Sequence, residues 1–393
     1  MAEQHSIVVS LFLIFTGAAV VTTLALYARQ ALIIGYIFVG VAFGPWALGW
    51  VGDTELIADI AEIGIIFLLF LLGLDLSPQK MVQMLRQTTI VTLLTSTAFC
   101  LAGWALARAF GFPNHESLLV GVAAMFSSTI IGLKLLPTTV LHHRHTGEVI
   151  ISVLLLQDLI AILVLLALQG LGGEEVVDTV LLDIGLLILA LPALIGIAWL
   201  LERYVLMTLF RRFDRVQEYV FLLTIAWCLG IAQLGKFIGL SYEIGAFIGG
   251  IVVAANPVAQ FITISLKPLR DFFLVLFFFA LGASLDLVVA REVLLPASLL
   301  AALMLALKPT VFRFAIASVS ESPRLAWETG WRLGQLSEFA LLITFLALQS
   351  PFIGKPVVIM IQLATIITFI GSSTIVVLNF PTPVAANDRL RRD

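Results

Sequence analysis

The chain has 393 residues, of which 61% are hydrophobic and 12% charged, with a formal net charge of −3. So few charges cannot cover a soluble surface of this size, and the near-neutral balance carries no electrostatic signature of nucleic-acid binding. The mean hydropathy of +1.10 places the sequence among all-α polytopic membrane proteins, in which about 20 apolar residues cross the hydrocarbon core.

Apolar runs predict thirteen spans, near residues 6–26, 31–49, 57–74, 87–110, 116–136, 147–169, 178–200, 217–235, 241–255, 267–286, 291–315, 326–349 and 356–379. The ninth is short, and polar residues interrupt the fifth and twelfth. The first is too long for a signal-peptide core, and residues 1–6 carry no Lys or Arg ahead of it, so it reads as a retained helix. Residues 1–380 form the transmembrane domain and 381–393 a short cytoplasmic tail, with no cytosolic ligand-sensing domain expected in this sequence.

About fourteen of the 22 Lys and Arg fall on one set of loops and about four on the other. The positive-inside rule then puts the N-terminus outside and the C-terminus in the cytoplasm. In the longest inner loop, Glu202–Val216, residues Arg211, Arg212 and Arg215 are expected at the lipid headgroups. His142, His143 and His145 share a short inner loop, where they are either solvated or sense cytosolic pH. Cys100 and Cys228 both fall inside spans, which speaks against a disulfide framework or a cysteine metal site. No nucleophile and base, and no HExxH pair, marks the chain as an enzyme.

Asp158 is the residue to explain. It sits in the apolar run 152–168 beside Gln157, and a charged side chain at the bilayer centre costs about 2.5–3.5 kcal/mol on insertion scales. The default reading is an ion or proton site. In the eleventh span Lys308 precedes Pro309, which lacks a backbone donor and tends to loosen a helix. A buried lysine needs a partner, and Asp158 and Glu338 are the candidates by depth; the alternative is a side chain that snorkels to an interface.

The interruptions occupy corresponding places in the two halves: Ser127, Ser128 and Thr129 in the first, Gly334 to Glu338 in the second. Paired broken helices point to an inverted-repeat transporter whose half-helix ends line a midplane site. Hydroxyl and carbonyl dipoles are suitable ligands for a dehydrated monovalent cation. The alternative is hydroxyls that bond their own helix or join neighbouring ones. In the ninth span Gly245, Gly249 and Gly250 form a small-residue face, read as helix packing, and Glu243 ahead of them is read as interfacial.

The runs FLLFLLGLDLSPQKM (67–81), FSSTIIGLKLL (126–136), LLLQDLIAI (154–162), GLSYEIGAFIGGIVVA (239–254), FFFALGASLDL (277–287) and LSEFALL (336–342) follow one another along nearly the whole chain. Together they resemble the membrane domain of Kef-type potassium/proton antiporters, in the monovalent cation:proton antiporter-2 superfamily. The resemblance implies an elevator-type homodimer in which core and dimerisation subdomains interleave and broken helices five and twelve cross. It implies Asp158 and Gln157 as the ion-binding pair, with Ser127, Ser128 and Thr129 beside them, and Lys308 and Glu338 as coupling or counter-ion residues. The chain departs from the family in the twelfth helix, where the familiar Gln-Gly-Gly-Glu-Phe reads Gln335-Leu336-Ser337-Glu338-Phe339. The expected function is electroneutral exchange of K⁺ for H⁺ at Asp158, the carboxylate expected to ligate the monovalent metal ion, in a bacterial inner membrane and without a cofactor. A regulatory cytosolic domain or subunit would lie outside this chain. The alternatives are sodium/proton antiport or a gated, channel-like potassium efflux protein, although no TVGYG-like filter occurs.

Overall fold

A computed structural model describes residues 7–28, 30–51, 54–75, 78–128, 152–154, 156–161, 163–164, 177–213, 216–256, 258–317, 323–347 and 353–380. Among these residues the only regular secondary structure is helical. In chain order the helices are α1 (Ile7–Tyr27), α2 (Leu32–Phe43), α3 (Thr54–Asp75), α4 (Pro78–Ala109), α5 (Asn114–Met125), α6 (Ser152–Ala161), α7 (Val177–Leu201), α8 (Met207–Phe213), α9 (Gln217–Phe237), α10 (Tyr242–Ala254), α11 (Val258–Ala283), α12 (Leu287–Glu292), α13 (Leu294–Ala317), α14 (Pro323–Arg332), α15 (Glu338–Ala347) and α16 (Lys355–Asn379). They overlap each of the thirteen expected spans. Six helices among the described residues are long and apolar enough to cross a bilayer.

The helices form because an apolar run in lipid must satisfy its backbone internally. Their outward residues are themselves apolar: Phe12, Ile90 and Phe314 are 61%, 74% and 71% exposed. Such a surface is suited to hydrocarbon rather than water.

The chain divides into two compact units, each assembled from separated stretches. The first comprises Met1–Thr54, Met84–Ala161 and Phe278–Asp393. Here α2 crosses the end of α11 at two glycines: a Cβ on Gly40 would strike the Phe279 carbonyl, and one on Gly282 the Ile37 carbonyl. Small residues at such a crossing let backbones approach where lipid offers no hydrophobic drive to bring them together. Within this unit α13 packs along α14 and α16, and α16 also packs on α15 and α5.

The second unit comprises Glu55–Gln83 and Ile162–Phe277. Its core gathers Phe67, Phe70, Leu74, Phe210, Val253 and Leu266. The glycine face of the ninth span serves packing: Gly245 lies against Ala232, Gly249 against Ile231, and Gly250 against the Phe70 carbonyl. Trp227 Nε1 donates to the Gly249 carbonyl at 3.0 Å.

Several expectations change. The stretch read as a loop, Glu202–Val216, is largely helical, with a π-helical turn at Glu202–Leu206 followed by α8. Glu202 is buried and accepts a hydrogen bond from Asn256 Nδ2, Leu206 and Phe210 join the core, and Arg211 and Arg212 remain exposed. The run reads as a loop because six charged residues lower its hydropathy, although Leu206 and Phe210 among them are turned inward. Glu243, read as interfacial, is 4% exposed in the first turn of α10. Helices α4 and α11 begin nine residues before their expected spans, since hydropathy stops at charged residues and a helix does not. Pro309 leaves α13 helical through to Ala317.

Candidate cation site at two broken helices

All of the site lies in the first unit. Helix α5 ends at Met125, and Phe126 turns extended with φ −89° and ψ 147°. Residues 126–128 have left the helix, so the last carbonyls of α5 lose their ordinary donors. Gln157 on α6 supplies one of them. Its Nε2 donates to the Met125 carbonyl at 3.1 Å, and its Oε1 accepts from the Ser127 N–H at 3.0 Å. Asp158 follows it on the same helix, 1% exposed. Ser127, Ser128 and Gln157 are fully buried.

The second break separates α14 from α15. Leu333 and Gly334 still donate to Thr329 and Trp331, closing the last turn. The Leu336 N–H then turns to the Thr368 hydroxyl at 3.1 Å, and Ser337 Oγ caps α15 by accepting from the Phe339 N–H. Glu338 opens that helix, where a negative charge suits the N-terminal end of the helix dipole. Gly330 lets α14 approach Pro309 so closely that a Cβ would meet the proline carbonyl.

Two side chains join the breaks. Gln335 donates from Nε2 to the Ser128 carbonyl at 3.4 Å, and its Oε1 accepts from Ser372 Oγ at 2.8 Å. Lys308, fully buried, donates to the Phe126 carbonyl, to the Gln335 carbonyl at 3.1 Å and to Ser127 Oγ at 3.3 Å. Its ammonium also sits 5.3 Å from the centroid of the Phe99 ring. The sequence reading paired this lysine with Asp158 or Glu338; its ammonium is instead seated on main-chain carbonyls. The physical reason is that α5 and α14 both end here. Helix C-termini carry partial negative charge and orphan acceptors, which a three-donor cation satisfies.

The structure therefore brings together Gln157, Ser127, Ser128 and Lys308, with Asp158 adjacent in sequence to Gln157 and Glu338 three residues beyond Gln335. Thr129 and the histidines 142, 143 and 145 lie outside the described residues. Sequence reasoning left Gln335, Phe99, Thr368 and Ser372 out of the site. A signal existed for the last two: Gln362, Thr365, Thr368 and Ser372 recur at helical spacing in the thirteenth span, all at most 1% exposed. An ion pair also went unread, Arg332 to Glu328 at 2.8 Å, with the arginine side chain fully buried at the end of α14.

Lys308 and Gln335 join the two breaks, and the buried Asp158 follows Gln157 on α6. The model of the family described as sodium/hydrogen exchanger, transmembrane, matches residues 11–380. The chain belongs to this sodium/hydrogen exchanger family. Its members are multi-pass membrane proteins that exchange a monovalent cation for a proton, and this exchanger's described helices fit that description. The fold is also similar to the solved structure of the sodium proton antiporter MjNhaP1 from Methanocaldococcus jannaschii at pH 8. The TM-score is 0.67 over 93% of this chain and 95% of that one, at 16% identity. Identity that low establishes a shared fold and leaves the transported ion of this exchanger to its own residues.

Proposed function

We propose that this protein is a Kef-type potassium/proton antiporter in which Asp158 alternately holds a proton and a partly dehydrated K⁺. The observation that carries the reading is a carboxylate 1% exposed, one residue from the glutamine that bonds the broken fifth span. Either ligand neutralises the same charge, and the surrounding domain crosses only when neutralised, so exchange follows without a separate gate. One proton against one monovalent cation is electroneutral. That stoichiometry requires Lys308, which donates to the Phe126 and Gln335 carbonyls and to Ser127 Oγ, to keep one protonation state through the cycle. Ser127, Ser128 and Thr129 are the proposed hydroxyl ligands, and Glu338 is a counter-ion residue at the second break. The protein works as an elevator-type homodimer with its N-terminus outside and C-terminus in the cytoplasm of a bacterial inner membrane. It uses no cofactor and is no enzyme.

The second reading keeps the mechanism and exchanges the ion. The family description and the similar solved structure both name sodium, and a Gln-Asp pair does not set a cavity size. The decisive experiment is cation-dependent proton movement in proteoliposomes with K⁺, Na⁺ or Rb⁺, for the wild type and Asp158→Asn. Exchange lost in the variant supports the single-carboxylate mechanism, and the ranking identifies the cation. Unchanged flux in the variant overturns the mechanism, and conductance without obligatory exchange would favour a channel.

A further inference from the structure

We propose that Gln157 is a positioning residue, a side-chain splint across the break in the fifth span, and not a ligand of the transported cation. This rests on the reading of Asp158 as the ion-binding carboxylate and goes beyond it by removing its neighbour from the ligand set.

The argument starts from what a break exposes. In an intact helix each N–H bonds the carbonyl four residues back. Ending α5 at Met125 orphans its last carbonyls, and the extended residues that follow cannot use their own N–H groups locally. A glutamine side chain is a primary amide, with the same donor and acceptor as a peptide unit. Gln157 offers both ends at once, Nε2 to the Met125 carbonyl at 3.1 Å and Oε1 to the Ser127 N–H at 3.0 Å. One partner is a pure acceptor and the other a pure donor, so only one orientation of the amide satisfies both. The group is fully buried, where leaving either partner unmade costs about 1–3 kcal/mol.

A cation ligand has to aim an oxygen lone pair at the ion. Here one of the oxygen's two lone pairs is taken by an N–H, in an orientation that the bond to the Met125 carbonyl also fixes, and the other end of the amide presents hydrogens, which repel a cation. Turning Oε1 toward an ion would strain or break both bonds that bracket the helix break. Asp158 is the next residue on α6, about 100° around the axis and 1.5 Å along it. Holding Gln157 to residues 125 and 127 therefore fixes the direction from which α6 presents the carboxylate to the unwound segment.

The test uses the full-length protein, purified and in proteoliposomes, with three variants. Gln157→Glu keeps the length and an acceptor oxygen but has no amide donor; Gln157→Met keeps the length and has neither; Asp158→Asn is the control for the ion site. The measurements are the melting temperature in cation-free buffer, and kcat and the apparent KM for K⁺ and Na⁺ during exchange. The expected result for both Gln157 variants is a Tm lower by about 3 °C or more. A fall of about tenfold in kcat accompanies it, with KM within about threefold of the wild type and the cation ranking preserved. Either an unchanged Tm or a KM raised tenfold or more overturns the proposal. If neither variant can be purified, Gln157→Asn, which keeps both amide groups on a shorter arm, is read by the same two criteria. Exchange retained by Asp158→Asn would sink the single-carboxylate reading instead, while the Tm comparison would still decide the splint.

Discussion

Lys308 donates to the main-chain carbonyl of Gln335 at 3.1 Å, and the same ammonium reaches the carbonyl of Phe126. One side chain from α13 thus closes the ends of two half-helices that come from opposite halves of the sequence. The lysine holds the crossing together by donating to carbonyls at the ends of both half-helices.

Lys308→Met removes that cation at nearly constant volume and orphans both carbonyls. We expect a stability loss of about 2–4 kcal/mol, read as a lower melting temperature in detergent, together with loss of exchange. A variant as stable as the wild type would mean that the carbonyls find other donors and that the lysine does not hold the crossing.

Gly330→Ala drives a methyl into the Pro309 carbonyl. Overpacking of this kind costs about 1–3 kcal/mol, whereas Gly196→Ala, inside α7 with nothing within 4 Å of the new Cβ, should lose nothing and gain up to about 1 kcal/mol from alanine's better helix propensity. Melting both in parallel tests the close approach of α14 to α13. Equal melting temperatures would contradict it.

Glu328→Gln leaves the Arg332 guanidinium, whose side chain is fully buried, without its 2.8 Å carboxylate. Breaking a buried pair from one side costs about 3–5 kcal/mol; the 20% exposure of Glu328 reduces the expectation to about 2 kcal/mol. The double change Glu328→Leu with Arg332→Met should recover part of that loss, because no unpaired charge remains. A double variant less stable than the single would show that Arg332 serves its other contacts more than this pair.

Competition at Asp158 has a pH signature of definite sign. Protons and cations exclude one another, so raising the pH removes the competitor and lowers the apparent KM for the cation, by up to about tenfold per pH unit while the carboxyl is mostly protonated. Initial exchange rates across cation concentrations at several pH values measure it. A KM independent of pH would require separate sites for the two ligands.

The spans and both interruptions can be read from the sequence because each is a local property. Twenty apolar residues make a helix in lipid wherever they occur, and the polar runs at Ser127 and Gly334 lie where α5 and α14 have ended. Asp158 stands out for the same reason, as a charge in an apolar run. Glu202–Val216 misleads because composition averages over a helix face, and only packing shows that Leu206 and Phe210 are turned inward.

The partners are another matter. Lys308 meets residues 182 and 27 positions away, and Gln157 meets backbone some thirty residues earlier. No hydropathy or spacing rule ranks a carbonyl above a carboxylate as the partner of a buried ammonium. Pairwise chemistry permits both, and the choice is made by which helix ends are brought within reach. The amino-acid sequence by itself determined that this chain crosses a membrane many times, breaks two of its helices and buries an acid between apolar neighbours. Only the tertiary structure decided which donors satisfy the broken ends, because orphaned backbone groups are created by the break and filled by whatever the crossing presents.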